Sequence, residues 1–99
     1  MNAPIRIHPD ALAEAEAALE WYRARSHRAA GDFLAALHSA LARLSTEPSR
    51  FPLHLLGTRR MLLRRFPYMI VFLWNGTGVN VIAVARGRRK PGYWRDRMR

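Results

Sequence analysis

The side chains that could do chemistry are quickly counted. His8, His27, His38 and His54 share no metal-ligand spacing, and there is no cysteine to add a thiolate ligand or nucleophile. Ser39, Ser45 and Ser49 sit in no nucleophile elbow, and no glycine-rich loop suits a phosphate. No metal and no cofactor is expected. What remains is arginine. Arg59, Arg60, Arg64 and Arg65 bracket one segment, and Arg86, Arg88, Arg89 and Lys90 leave another. Guanidinium groups stabilise phosphate charge well but, with a pKa above about 12, are poor proton carriers. Tyr93 and Trp94 interleave with the last cations, where aromatic rings can stack on bases or fill a partner's pocket. The same rings could instead anchor the C-terminus on the core.

The charge of the whole chain is concentrated around these residues. Residues 1–54 carry six arginines and six acids, whereas residues 55–99 carry eleven Lys+Arg against Asp96 alone, so the net charge of +10 belongs to the second part. Such a field attracts polyanions or acidic protein segments. With 99 residues, 49% hydrophobic, the chain is expected to be one domain with a packed core and a basic tail from about residue 87 to residue 99. Its longest apolar run, Tyr68 to Trp74, is far short of the roughly 20 residues of a membrane span. No signal-peptide pattern opens it, and the cytoplasm is the expected compartment.

The elements that must position the arginines follow from periodicity. Ile5 and Ile7 alternate with polar residues in a short strand. Pro9 and Asp10 suit a first helical turn, and Leu12, Ala15, Leu19 and Tyr22 mark the apolar stripe of a helix from about Pro9 to Arg25. Phe33, Leu37, Leu41 and Leu44 mark a second helix, starting near Asp32 and ended by Glu47-Pro48. Strands are expected at Arg60 to Phe66, at Tyr68 to Trp74 with both faces covered, and at Val79 to Arg86. The last two are joined by the turn Asn75-Gly76-Thr77-Gly78. The result is an α+β fold: a strand, a helical hairpin, and a three-stranded antiparallel meander with the helices on one face. On this reading Arg64 and Arg65, adjacent in a strand, point to opposite faces. Because the apolar stripes end by Ala85, the core is expected to survive without the tail.

The chain resembles the ParE/RelE toxins of bacterial type II toxin–antitoxin pairs over nearly its whole length. The likeness lies in the element order, the helix hairpin ending at Glu47-Pro48, and the stretch from Arg60 through Phe66-Pro67-Tyr68. It continues through the hydrophobic hairpin and Val84-Ala85-Arg86-Gly87-Arg88 before Tyr93-Trp94. The resemblance implies a toxin neutralised by an antitoxin. ParE-like members poison DNA gyrase; RelE-like members cut messenger RNA in the ribosome. Gly87 stands where RelE-like nucleases resemble one another in an arginine, whereas Tyr93 matches their late tyrosine, and lysines are missing from the middle strands. The balance favours the ParE-like branch, with Tyr93 and Arg86 as the catalytic candidates of the nuclease alternative. A stand-alone nucleic-acid-binding module is the competing class, although no helix-turn-helix or RNA-binding aromatic motif is present.

The expected target-facing residues are therefore Arg59, Arg60, Arg64, Arg65, Arg86, Arg88, Tyr93 and Trp94. Trp21 and Tyr22, beside the first helix's stripe, are the expected antitoxin contacts. The antitoxin's binding segment should be acidic and amphipathic, to match the basic half.

Overall fold

The computed structural model describes residues 2–98. In chain order it forms β1 (Ile5–Ile7), α1 (Pro9–Arg23), α2 (His27–Thr46), β2 (Arg59–Leu62), β3 (Tyr68–Trp74) and β4 (Val79–Arg86). Short 3₁₀ turns occupy Pro48–Arg50, Leu55–Gly57 and Arg95–Met98. The sheet order is β1-β4-β3-β2. The meander is antiparallel, and β1 joins it as a strand parallel to β4, making the sheet mixed and four-stranded.

Local signals place the helices. Pro9 opens α1, and the His8 ring accepts the Asp10 N–H at 3.0 Å through Nδ1. At α2, Ser26 Oγ accepts the Ala29 N–H at 3.1 Å, so the helix begins at His27 rather than near Asp32. Gly31 lies inside it without harm, exposed and with open space around its Cα.

The face that α1 buries is centred beside the expected stripe: Ala15, Leu19 and Tyr22 pack against the core, but its fully covered residues are alanines. Ala11 and Ala18 are fully covered while Leu12 is 48% exposed. Small side chains let the helix approach β4 closely, and the leucines flank the contact instead of filling it. Phe33, Leu37, Ala40 and Leu44 of α2 complete the main core with Ile70 and Phe72 of β3 and Val79 and Val81 of β4.

The strand expected at Arg60 to Phe66 pairs only as far as Leu62. Arg65 adopts a left-handed φ of 67°, which turns the chain, and Phe66 swings into the helix side of the core against Phe33 at 5.4 Å. Arg64 and Arg65 thus both lie on a turn, and both are exposed. The alternation argument that set them on opposite faces does not apply.

The central β3 is covered on both faces, as its unbroken apolar run implies. The second cover is the tail. A bulge leaves Ile82 without a partner, since Phe72 pairs with Val81 and Val71 with Ala83. Ile82 and Ala83 therefore share a face, and with Val71, Ala85 and Trp94 they form a second cluster. Trp94 is 1% exposed and heads the fully buried side chains by volume. Of the two readings of the tail aromatics, Trp94 is therefore an anchor on the core. Apolar periodicity ends at Ala85, but the face it leaves on the far side of the sheet is sealed by one tryptophan contributed from beyond the last strand.

Trp94→Ala should accordingly destabilise the protein by about 3 to 5 kcal/mol, the usual result of truncating a buried aromatic. A chain stopped after Lys90 should lose its cooperative transition. Urea unfolding followed by tryptophan-independent circular dichroism measures both, and an unaltered midpoint for either would contradict the second cluster's role.

Candidate functional site: a cationic pole

The β2–β3 turn and the exit from β4 meet at one end of the sheet. Tyr68 pairs with Arg86, and the Gly87 N–H donates to the Pro67 carbonyl at 2.9 Å. This brings Arg64 and Arg65 to the same end as Arg86, Arg88, Arg89 and Lys90, all of them exposed. The C-terminal end of α1 is fastened over the turn by aromatic contacts: Tyr22 lies 5.2 Å from both Phe33 and Phe66. It adds Trp21 and Arg25. The Arg25 guanidinium carbon sits 3.6 Å above the Trp21 ring, and that of Arg86 sits 5.7 Å from it. A cleft of about 390 Å³ between Trp21, Tyr68, Arg86 and Arg89 opens there.

Beneath this pole lies a network centred on Glu14. Its Oε1 accepts the Val84 N–H at 3.0 Å and Arg97 Nη1 at 2.8 Å, and its Oε2 accepts Arg97 Nη2 at 3.2 Å and the Tyr93 hydroxyl. Arg97 also donates to the Ile82 carbonyl at 3.2 Å and lies 3.7 Å from Asp10. The Tyr93 ring carries Arg89 at 4.0 Å and Arg97 at 5.1 Å. Burial, and then the Glu14 carboxylate, push the Tyr93 phenol above its ordinary value of 10. The hydrogen bond to Glu14 holds the Arg97 guanidinium more firmly protonated still. A phenol that donates to a carboxylate and resists ionisation is a poor proton acceptor at neutral pH.

The structure divides the residues singled out from sequence. Arg64, Arg65, Arg86 and Arg88 gather at the pole, and Trp21, expected on the antitoxin side, stands among them. Tyr22 is half-buried in the aromatic cluster rather than displayed. Arg59 points inward and clamps the preceding loop, donating to the carbonyls of Ser49 at 3.2 Å and Phe51 at 2.7 Å. Arg60 lies on the tail side of β2, where burial and then its charge lower the His54 pKa. His54 in turn packs 6.1 Å from the Trp94 ring. Tyr93 is tied to Glu14, and Trp94 is buried and unavailable to a partner.

Sequence reading missed Glu14 and Arg25, counted Arg89 among the cations without placing it on the target-facing surface, and did not foresee the pairing of Arg97 with Glu14. A signal existed for Glu14: it falls between Ala11 and Ala18 at helical spacing, on the face α1 buries. A second surface feature is an apolar groove beside the helix hairpin, about 210 Å³, with exposed Ile7, Leu12 and Leu34 at its rim. Among the described residues, no group of histidines and acids could hold a metal, and no helix is long and apolar enough to cross a membrane.

Comparison with known proteins bears on this arrangement. Residues 5–91 match the family described as the ParE toxin of the type II toxin–antitoxin system parDE. The chain belongs to the ParE toxin family. A solved chain described as the chromosomal ParDE TA system from P. aeruginosa shares the fold, with a TM-score of 0.73 at 17% identity. The match covers 85% of this chain and 95% of that one. No curated protein sequence matches. The ParE family match spans β1 to the base of the tail, and so includes both the pole and the apolar groove.

The Tyr93 shift has a consequence for stability. A folded-state pKa above the unfolded 10.0 means the unfolded chain releases its proton first. The stabilisation is therefore complete below pH 10 and is lost as pH rises from there. Tyr22, raised by burial and by Tyr68, adds in the same direction. Urea unfolding between about pH 8 and about pH 11 should show a decline that Tyr93→Phe reduces without removing. An equal decline in that variant would count against the network.

Proposed function

We propose that this ParE-family toxin acts by binding, arresting growth through inhibition of DNA gyrase, and that a cognate antitoxin neutralises it. The observation that carries the reading is the chemistry of the pole. Cleaving RNA requires a base for the 2′-hydroxyl and an acid for the leaving oxygen. The exposed cations offer arginines and Lys90, while Tyr93, the tyrosine a nuclease would use, keeps its proton and donates a hydrogen bond to Glu14. Arginines can hold an anionic or carbonyl-rich partner surface firmly, but they do not move protons. Membership of the ParE family supports the same choice.

Purified protein should inhibit gyrase supercoiling and leave messenger RNA intact in a translating extract. Tyr93→Phe should keep nearly all toxicity, whereas a general base lost this way would reduce cleavage by roughly 10² to 10⁴. Ribosome-dependent cleavage abolished in a folded Tyr93→Phe protein would establish the nuclease reading instead.

The antitoxin has two complementary surfaces to meet. Its acidic residues suit the pole and speed encounter, while apolar side chains suit the groove around Leu12 and Leu34 and slow release. Leu12 is about half exposed, so Leu12→Asp should leave the melting temperature within a few degrees. It should weaken antitoxin binding roughly tenfold or more, read by calorimetric titration. Unchanged affinity would place the antitoxin elsewhere.

A further inference from the structure

We infer that the cationic pole binds the phosphate backbone of double-stranded DNA directly and without sequence preference. The inference rests on the reading of the pole as the target-facing surface, and it assigns that surface a nucleic-acid partner as well as a protein one. Six guanidinium groups carry it: Arg25, Arg64, Arg65, Arg86, Arg88 and Arg89. None of them takes part in an ion pair among the described residues. Glu20, Glu47 and Glu14 engage Arg23, Arg50 and Arg97 instead, and Asp10 lies beside His8 and Arg97. Like charges gathered in one place repel and lower stability, so the arrangement is one that a polyanion relieves.

The chemistry of the pole favours phosphate over an acidic protein segment. Guanidinium forks match phosphate oxygens two at a time. Protein partners are held chiefly by apolar anchors seated in pockets. Most of this chain's exposed leucines lie away from the pole, in the groove around Leu12 and Leu34 and around the loop of Leu53, Leu55 and Leu56, while Leu62 at the end of β2 borders Arg64 and Arg65. The exposed aromatic side chain at the pole is Trp21, and its ring is already engaged by Arg25 and Arg86. That contact holds two cations against one rigid ring, so less side-chain freedom is lost when phosphates arrive. Base readout has no instrument here: the cations extend from a turn, a strand exit and the link between α1 and α2 rather than from one face of a helix. The binding should therefore be electrostatic and blind to sequence.

The test is fluorescence anisotropy of the full chain with a labelled duplex of about 20 base pairs, from about 50 to about 200 mM KCl, with no gyrase present. Four to six phosphate contacts predict a log–log salt slope of roughly −4 to −5. The double change Arg86→Gln and Arg89→Gln should weaken binding roughly tenfold or more and flatten the slope by about two. Arg6→Gln is the control. Arg6 pairs with Asn80 at the far end of β4, about 20 Å from Arg86, and the change should leave binding unaltered. Thermal melts confirm that each variant is folded. Absence of binding at the lowest salt, or equal loss in Arg6→Gln, overturns the inference. So does tight binding of labelled poly-glutamate with none of the duplex, which assigns the pole to acidic proteins. Gyrase supercoiling by the same proteins is read separately. Inhibition without duplex binding keeps the gyrase reading and overturns this one, and duplex binding without inhibition does the reverse.

Discussion

One carboxylate organises the end of the molecule where β4, the tail and the first helix meet. Glu14 projects from α1 at the point where β1 has ended and β4 continues, so the outward edge of β4 has lost its neighbour. A strand edge in that position has backbone groups that must be satisfied some other way. Glu14 takes the Val84 N–H, and Arg97, held by Glu14, supplies a donor to the Ile82 carbonyl. A carboxylate and a guanidinium each about one-sixth exposed are costly to desolvate, and the arrangement is tolerable because both are hydrogen-bonded several times over. The pair thus does for β4 what a further strand would do. It also ties the first helix to a residue 83 positions later.

From that tie the rest of the C-terminal segment follows. With Arg97 and Tyr93 both held on Glu14, Trp94 between them has its ring directed onto Val71, Ile82, Ala83 and Ala85. The bulge at Ile82 matters here, because it turns two successive side chains toward that ring and leaves the Ile82 carbonyl for Arg97. Polar edge and apolar face are closed by the same short segment. A sheet whose second face would otherwise lie open to water becomes the centre of a three-layer arrangement: helices, sheet and tail.

How far this could be read in advance depended on the range of the interactions. The helix hairpin, the β3–β4 turn and the apolar run of β3 were legible because their causes are local: Pro9, Glu47-Pro48, Asn75-Gly76 and spacing within a few residues. The errors arose where one residue's fate was decided far away. Leu12 looks like the core of α1, yet it is about half exposed, because the face that comes close to β4 is that of Ala11 and Ala18, with Ala15, Leu19 and Tyr22 packed beside it. Trp94 looks like a surface aromatic among arginines, yet it is buried because the far face of the sheet needs a cover. Arg59 looks like its neighbours but is turned onto the carbonyls of Ser49 and Phe51. The basic site was visible as charge and invisible as geometry. Nothing in sequence separates Arg97, neutralised by Glu14, from Arg88, which is left to solvent.

That separation is the final consequence of the Glu14 tie. The network neutralises one cation of the tail and, by holding the Tyr93 ring in place, provides a fixed platform for another, Arg89, at 4.0 Å. Arg86 leaves the last paired position of β4 and meets Trp21, which the Tyr22, Phe33 and Phe66 contacts hold over the turn. Rigid rings on two sides therefore limit where these guanidiniums can go, and a surface of long, flexible side chains acquires a defined shape. Such restraint costs conformational entropy during folding rather than at the moment of binding. On the proposed reading, the net charge draws a partner toward this end of the protein, and the partly buried carboxylate and the aromatic platforms limit the geometry of opposite charge that fits there.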